Sequence, residues 1–155
     1  MIIEPTYTGR QYWLTTVISG LLLSVLLSIV YIAFYERLYV KSSYLFSILY
    51  IIPFVWQNIT LAIFKNKFVW NDFSYSKAFL MSFLIGIIGS IVFSGVILAV
   101  YSCLGMESRM GLYENGNMMR ELFSPLATAV SMLIINVILS FVYSLIIAIF
   151  ARKKV

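Results

Sequence analysis

Residues 78–104 read AFLMSFLIGIIGSIVFSGVILAVYSCL, twenty-seven positions without Asp, Glu, Lys, Arg or His. At ~1.5 Å of rise per residue, a helix of that length reaches past the ~30 Å hydrocarbon core of a bilayer. Three further runs, Trp13–Tyr35, Tyr44–Phe64 and Leu126–Phe150, are equally free of charge and long enough to cross. All the charged residues, 11 Lys and Arg with 6 Asp and Glu, lie outside the four runs. The pattern predicts an all-α membrane protein. It would form one integral-membrane domain over residues 1–155, a four-transmembrane-helix bundle built from two antiparallel hairpins.

Composition agrees. Hydrophobic residues make up 62% and charged residues 11% of the chain, against about 45–50% and about 25% in soluble domains. The net charge of +5 flanks the spans instead of forming a basic face, which excludes a nucleic-acid partner. The first run is too long for the ~7–15-residue core of a secretory signal and reads as a retained span.

Lys and Arg are unevenly divided between the two sides. Arg10, Lys65, Lys67, Lys77, Arg152, Lys153 and Lys154 form a basic rim on one side. Arg37, Lys41, Arg109 and Arg120 lie on the other, offset there by Glu36, Glu107, Glu114 and Glu121. The bias places the richer side and both termini in the cytoplasm. Tyr12 and Trp13 at the inner end, and Tyr31, Tyr35, Tyr44 and Tyr101 at the outer end, read as an aromatic belt that fixes depth.

Within the spans the strongest pattern is a set of small-residue stripes. The first helix carries Thr16, Gly20, Ser24 and Ser28. The third carries Ser82, Gly86, Ser90 and Ser94, with Gly89 and Gly95 beside them. The fourth carries Asn136, Ser140, Ser144 and Ala148. Lipid tails are as apolar as leucine, so membrane helices associate through close backbone approach and interhelical hydrogen bonds, which such stripes permit. The first and third stripes are related by a constant offset of 66, which reads as the small-residue spacing common in membrane helices or as a parallel repeat of two hairpins.

The second helix differs. It is rich in aromatic residues (Phe46, Tyr50, Phe54, Trp56, Phe64) and holds Pro53 in mid-span. The proline removes the backbone bond to Leu49 and predicts a kink, and the bulk predicts a peripheral, lipid-facing place. Gln57, Asn58 and Asn136 are the strongly polar groups deepest in the spans, and each needs a hydrogen-bond partner. They read as helix-to-helix bonds or as a polar site for a headgroup or substrate. At the helix ends, Asn71, Asp72, Phe73 and Ser74 offer an N-cap for the third span, and Pro125 suits the first position of the fourth.

Catalytic and metal chemistry find little to use. There is no histidine, no intramembrane acid, no Ser–Lys pair at membrane depth and no phosphate-cradling glycine loop. Proton-coupled transport places Asp, Glu or His in a span, and none is there. Met106, Met110, Met118 and Met119 are soft ligands of the kind Cu(I) takes. No histidine joins them and Gly111 and Gly116 interrupt the segment, so they read as interfacial packing. The lone Cys103 has no internal disulfide partner and reads as a small buried apolar side chain. No enzyme activity, cofactor or metal is expected.

The run Phe73-Ser74-Tyr75-Ser76-Lys77-Ala78-Phe79 leads into a helix rich in Gly, Ser and Ile. Ser124-Pro125 opens a last helix ending Ile149-Phe150-Ala151-Arg152-Lys153-Lys154. With these features the second half resembles a family of four-span bacterial inner-membrane proteins, mainly from Bacteroidetes, catalogued as domain of unknown function 4199. The first hairpin matches it by hydropathy alone, and the family's more charged segment between helices 3 and 4 is here short and glycine-broken. The resemblance implies four spans and no known activity. It also implies genes neighbouring polyprenyl-phosphate glycosyltransferase-like enzymes.

The expectation is a non-catalytic accessory or scaffold subunit of an inner-membrane complex, in contact with membrane lipids and with a larger membrane protein or a second copy of itself. The alternative is a small oligomeric transporter or lipid flippase, with Gln57, Asn58 and Asn136 lining a polar path between protomers.

Overall fold

The computed structural model describes residues 7–38, 43–69, 72–104 and 125–152. They form four helices: α1 (Gly9–Leu38), α2 (Ser43–Phe68), α3 (Tyr75–Leu104) and α4 (Pro125–Ala151). All four contain a stretch long and apolar enough to cross a membrane, and the architecture is an all-α four-helix bundle. In hydrocarbon every backbone N–H and C=O must be satisfied inside its own segment, and the helix achieves this.

The helices outrun the apolar runs at most of their ends, because hydropathy marks depth whereas backbone bonding continues to a cap. Thr8 and Gln11 form a capping box: the Thr8 N–H donates to Gln11 Oε1 at 2.9 Å, and the Gln11 N–H to Thr8 Oγ1 at 3.2 Å. Two otherwise unpaired donors are thereby satisfied, and α1 begins at Gly9 instead of Trp13. Ser74 is the cap for α3, its Oγ accepting from the Lys77 N–H at 3.4 Å. At the far end of α2, Lys65 and Lys67 lie in the last turn, where cations suit the negative end of the helix dipole. Pro125 opens α4 as expected.

The bundle is organised around α3, which packs along α1 on one flank and α4 on the other, while α2 touches all three less extensively. Helices α1 and α3 run parallel. A Cβ on Gly20 would lie 2.7 Å from Ile88 Cβ, and one on Gly89 would lie 2.8 Å from Leu23 Cδ2. Each glycine is thus the hole for a side chain of the other helix. Helices α3 and α4 run antiparallel, with Ser82 opposite Ser144 and Ser94 opposite Ala129. There the Cβ missing from Gly86 leaves the space occupied by the Ser140 side chain. Helix α2 returns antiparallel to α1, Ser19 pairing with Thr60 and Tyr12 meeting Phe64 edge-on.

The four-residue stripes of α1 and α3 do not pack equivalently. Gly20 faces α3, whereas Gly86, 66 positions later, faces α4 and α2. Gly95 takes no part in packing, for nothing lies within 4 Å of where its Cβ would be.

The described aromatic side chains of α2 are half-buried or buried. Phe64 is fully buried in a cluster with Tyr7, Tyr12, Phe68 and Phe73. The lipid-facing row is instead Ile48, Ile51, Val55, Ile59 and Ile63, spaced at the helical period. Pro53 is buried and α2 continues unbroken through it. Two of the expected belt residues also face inward: Tyr31 packs edge-on against Phe93, and Tyr12 is buried with its hydroxyl bonded across to α3. Trp13 remains exposed. Cys103 is exposed rather than buried. The side chains of Tyr35, Tyr44 and Tyr101, the methionines of the third loop, and Lys153 and Lys154 lie outside the described residues.

Gly86→Ala forces a methyl group into the Ser140 side chain, and overpacking of this kind costs about 1–3 kcal/mol. Gly95→Ala meets open space and gains helix propensity. Unfolding titrations in mixed micelles, followed by circular dichroism, should show the first variant destabilised and the second at least as stable as the parent.

Candidate functional site

The interior polar groups form a seam between the helices. Thr16, Ser24 and Ser28 on α1, Ser82 and Ser90 on α3, and Ser140 and Ser144 on α4 are all buried, as are Gln57, Ser94 and Asn136. A hydroxyl in hydrocarbon must find an acceptor, and many find one in their own helix. Thr16 donates to Tyr12 O (2.8 Å), Ser24 to Leu21 O (2.6 Å), Ser28 to Ser24 O (2.7 Å) and Ser90 to Gly86 O (2.6 Å). This back-bonding seals the hydroxyl against the helix it belongs to.

A second set ties helices together. The Ser19 and Thr60 hydroxyls are hydrogen-bonded at 2.7 Å, and Trp56 Nε1 donates to Ser19 O at 3.0 Å, joining α1 to α2. Ser94 donates to Ala129 O at 2.6 Å, and the Tyr75 hydroxyl to Leu145 O at 3.2 Å, joining α3 to α4. The Tyr143 hydroxyl donates to Tyr50 O at 2.8 Å, joining α4 to α2.

Gln57 is the centre of the seam. It is fully buried, and its Oε1 accepts from Ser82 Oγ at 3.1 Å. Ser82 Oγ lies 3.1 Å from Ser144 Oγ, which in turn lies 2.6 Å from Ser140 O. Each hydroxyl carries one proton. With that of Ser82 given to Gln57, the Ser144 proton has two competing acceptors. The Gln57 Nε2 points toward Gly86 and Ser140: it lies 2.7 Å from the Cβ position that Gly86 leaves empty, which Ser140 also overlaps. It has no hydrogen-bond partner, one of two such buried side-chain atoms among the described residues, with the Tyr7 hydroxyl. An orphaned donor of this kind costs about 1–3 kcal/mol.

The three intramembrane amides do not converge. Asn136 is buried on the α4 face that also carries Ser140 one turn on, whereas Asn58, about 100° around α2 from Gln57, is half-buried outside the knot. Gln57 and Asn136 therefore face the inside of one protomer. Among the described residues no three His, Cys, Asp or Glu side chains come together. What the knot offers is neutral donors and acceptors under tight packing.

Sequence reasoning missed Ser19, Thr60, Trp56 and Tyr143. A step of four residues overshoots one helical turn by about 40°, so a strict four-residue stripe drifts off the buried face. Following Thr16 by three as well as four would have found Ser19. The bonds of Trp56 and Tyr143 carry no local signal, because their acceptors are backbone carbonyls on other helices.

The described part of the basic rim is gathered at one end. The parallel run of α1 and α3 brings Arg10 and Lys77 together, the return of α2 brings Lys65 and Lys67, and α4 ends there with Arg152. No family model, no curated protein and no solved structure matches this chain. Its function has to be read from its own residues.

Ser82→Ala strands both ends of the Gln57 amide and should cost about 1–3 kcal/mol. Gln57→Met removes the orphaned donor together with the acceptor at similar volume and should cost less. Unfolding free energies that rank the methionine variant below the alanine variant would contradict this account of the knot.

Proposed function

We propose that this chain is a non-catalytic accessory or scaffold subunit of a bacterial inner-membrane complex, with both termini in the cytoplasm. The observation that carries the reading is where the interior polar groups go. The hydroxyls of the seam are engaged with backbone carbonyls of their own helix or with a neighbouring helix, and the spaces at Gly20, Gly86 and Gly89 are filled by side chains of the same protomer. Interior chemistry of this kind holds a shape.

The outward faces are bulky and apolar. On α1 they include Val17, Leu21, Val25 and Ile29, and on α4 Ile134, Ile138, Phe141 and Leu145. Such faces suit lipid and the side of a larger membrane protein. A lipid-linked-sugar or other envelope enzyme is the partner that the family resemblance implies. The cytoplasmic placement of the termini rests on the excess of Lys and Arg at the end holding both helix starts.

Two measurements test the reading. Purified from its own membrane in mild detergent, the chain should co-elute in fixed ratio with a larger membrane protein and lose helix stability when that protein is stripped away. A monodisperse homo-oligomer that moves a solute across liposomes would refute it. For orientation, Cys103 is a natural probe, being exposed at the α3 end opposite the basic rim. A membrane-impermeant maleimide should label it in intact spheroplasts, whereas an Arg152→Cys/Cys103→Ser variant should react only after permeabilisation.

A further inference from the structure

Among the described side chains, the charged ones gather at one end of the bundle. Arg10 lies in the first turn of α1, Lys77 in that of α3, Lys65 and Lys67 in the last turn of α2, and Arg152 directly after α4. Among the described residues Asp72 is the one acid at that end.

Two of the ammonium groups are held in place by rings. Lys77 Nζ lies 5.3 Å from the centroid of Tyr7, and Lys67 Nζ lies 5.4 Å from that of Phe68. Cations over aromatic faces are attracted by the ring quadrupole. The Lys77 backbone is fixed as well, because the Tyr12 hydroxyl donates to its carbonyl at 2.6 Å. Tyr12 stands two residues after Arg10, so the same bond sets the starts of α1 and α3 side by side. Arg10 and Lys77 are both exposed there.

Neither α1 nor α3 has an acidic residue in its first turn, although a helix N-terminus favours negative charge. The depth is set too. Trp13 and Leu14, the residues following this patch on α1, face outward. That puts the cations at the boundary between hydrocarbon and headgroups.

We propose that this end of the bundle binds the phosphate of anionic phospholipids in the facing leaflet. Arg10 and Lys77 make the main contacts, and Lys65, Lys67 and Arg152 strengthen the field. A zwitterionic headgroup carries its own ammonium beside the phosphate and is disfavoured by the same five cations. Free phosphate has the charge but no acyl chains to hold it at this depth. The binding does not depend on the scaffold reading, and it stands or falls separately.

The test is native mass spectrometry of the full chain released from bilayers holding equal amounts of phosphatidylglycerol and phosphatidylcholine. The parent protein should retain phosphatidylglycerol in preference. Each cation near the surface is worth about fivefold, so Arg10→Gln/Lys77→Gln should lower the preference by up to about 25-fold with unchanged helix content. Lys77→Arg, which keeps the charge, and Arg37→Gln, at the opposite end, should leave it intact. If the double variant loses helix content, Lys77→Gln alone should still lower the ratio relative to Lys77→Arg. Equal retention of the two lipids by the parent would overturn the proposal, as would a parental ratio in the double variant. So would displacement of the lipid by millimolar inorganic phosphate, which would reveal a site for a free anion.

Discussion

The close approach of the α3 backbone to its neighbours is the constraint on which the rest of this bundle depends. In lipid no hydrophobic effect draws one apolar helix to another, so contact area and hydrogen bonds must do so. Gly20 and Gly89 let α1 and α3 interlock, and Gly86 admits Ser140 of α4. Because α3 has partners on both flanks, it exposes far fewer large apolar side chains than α1 or α4, each of which turns a broad apolar face outward.

That close approach sets the polar chemistry. Helices near enough for a glycine to receive a side chain are also near enough for Ser94 to reach a carbonyl of α4 and for Tyr12 to reach one of α3. Helix α2 has no glycine and attaches differently, through the Ser19–Thr60–Trp56 bonds, the Gln57 knot and the aromatic cluster around Phe64. The Gln57 amide is the most expensive of these attachments, since one of its ends is unpaired. Such a group stabilises the seat of α2 less than it specifies it: rotation of the helix would expose the amide to hydrocarbon and lose the Ser82 bond. The packing also collects the cations at one end, by running α1 and α3 parallel and returning α2 and α4 between the same levels.

Much of this was legible before any coordinates. Four charge-free runs require four helices, because hydrocarbon offers the backbone no other partner. The small residues at 16, 20, 24 and 28, at 82, 86, 90 and 94, and at 140 and 144 do fall on buried faces. The Thr8–Gln11 capping box could also have been read from spacing alone. The peripheral place read for α2 agrees with its slighter contact with the other helices, but bulk does not say which side of a helix it occupies: Phe64 is buried and the outward row is aliphatic. The burial expected of Cys103 failed for a related reason: a position along α3 says nothing of which face of the helix it occupies.

The sequence by itself determined that the chain spans a membrane four times, which faces are small enough to pack, and that the charges stay out of the spans. These follow from one-dimensional patterns and the cost of exposing polar groups to hydrocarbon. Only the tertiary structure decided which helix meets which stripe, and that Gly89 packs while Gly95 does not. It alone placed Gln57 against Gly86, Ser82 and Ser140 with one amide end unpaired. Each of these depends on the rotation of one helix relative to another, and a helix's own sequence is nearly indifferent to that rotation when its surroundings are lipid.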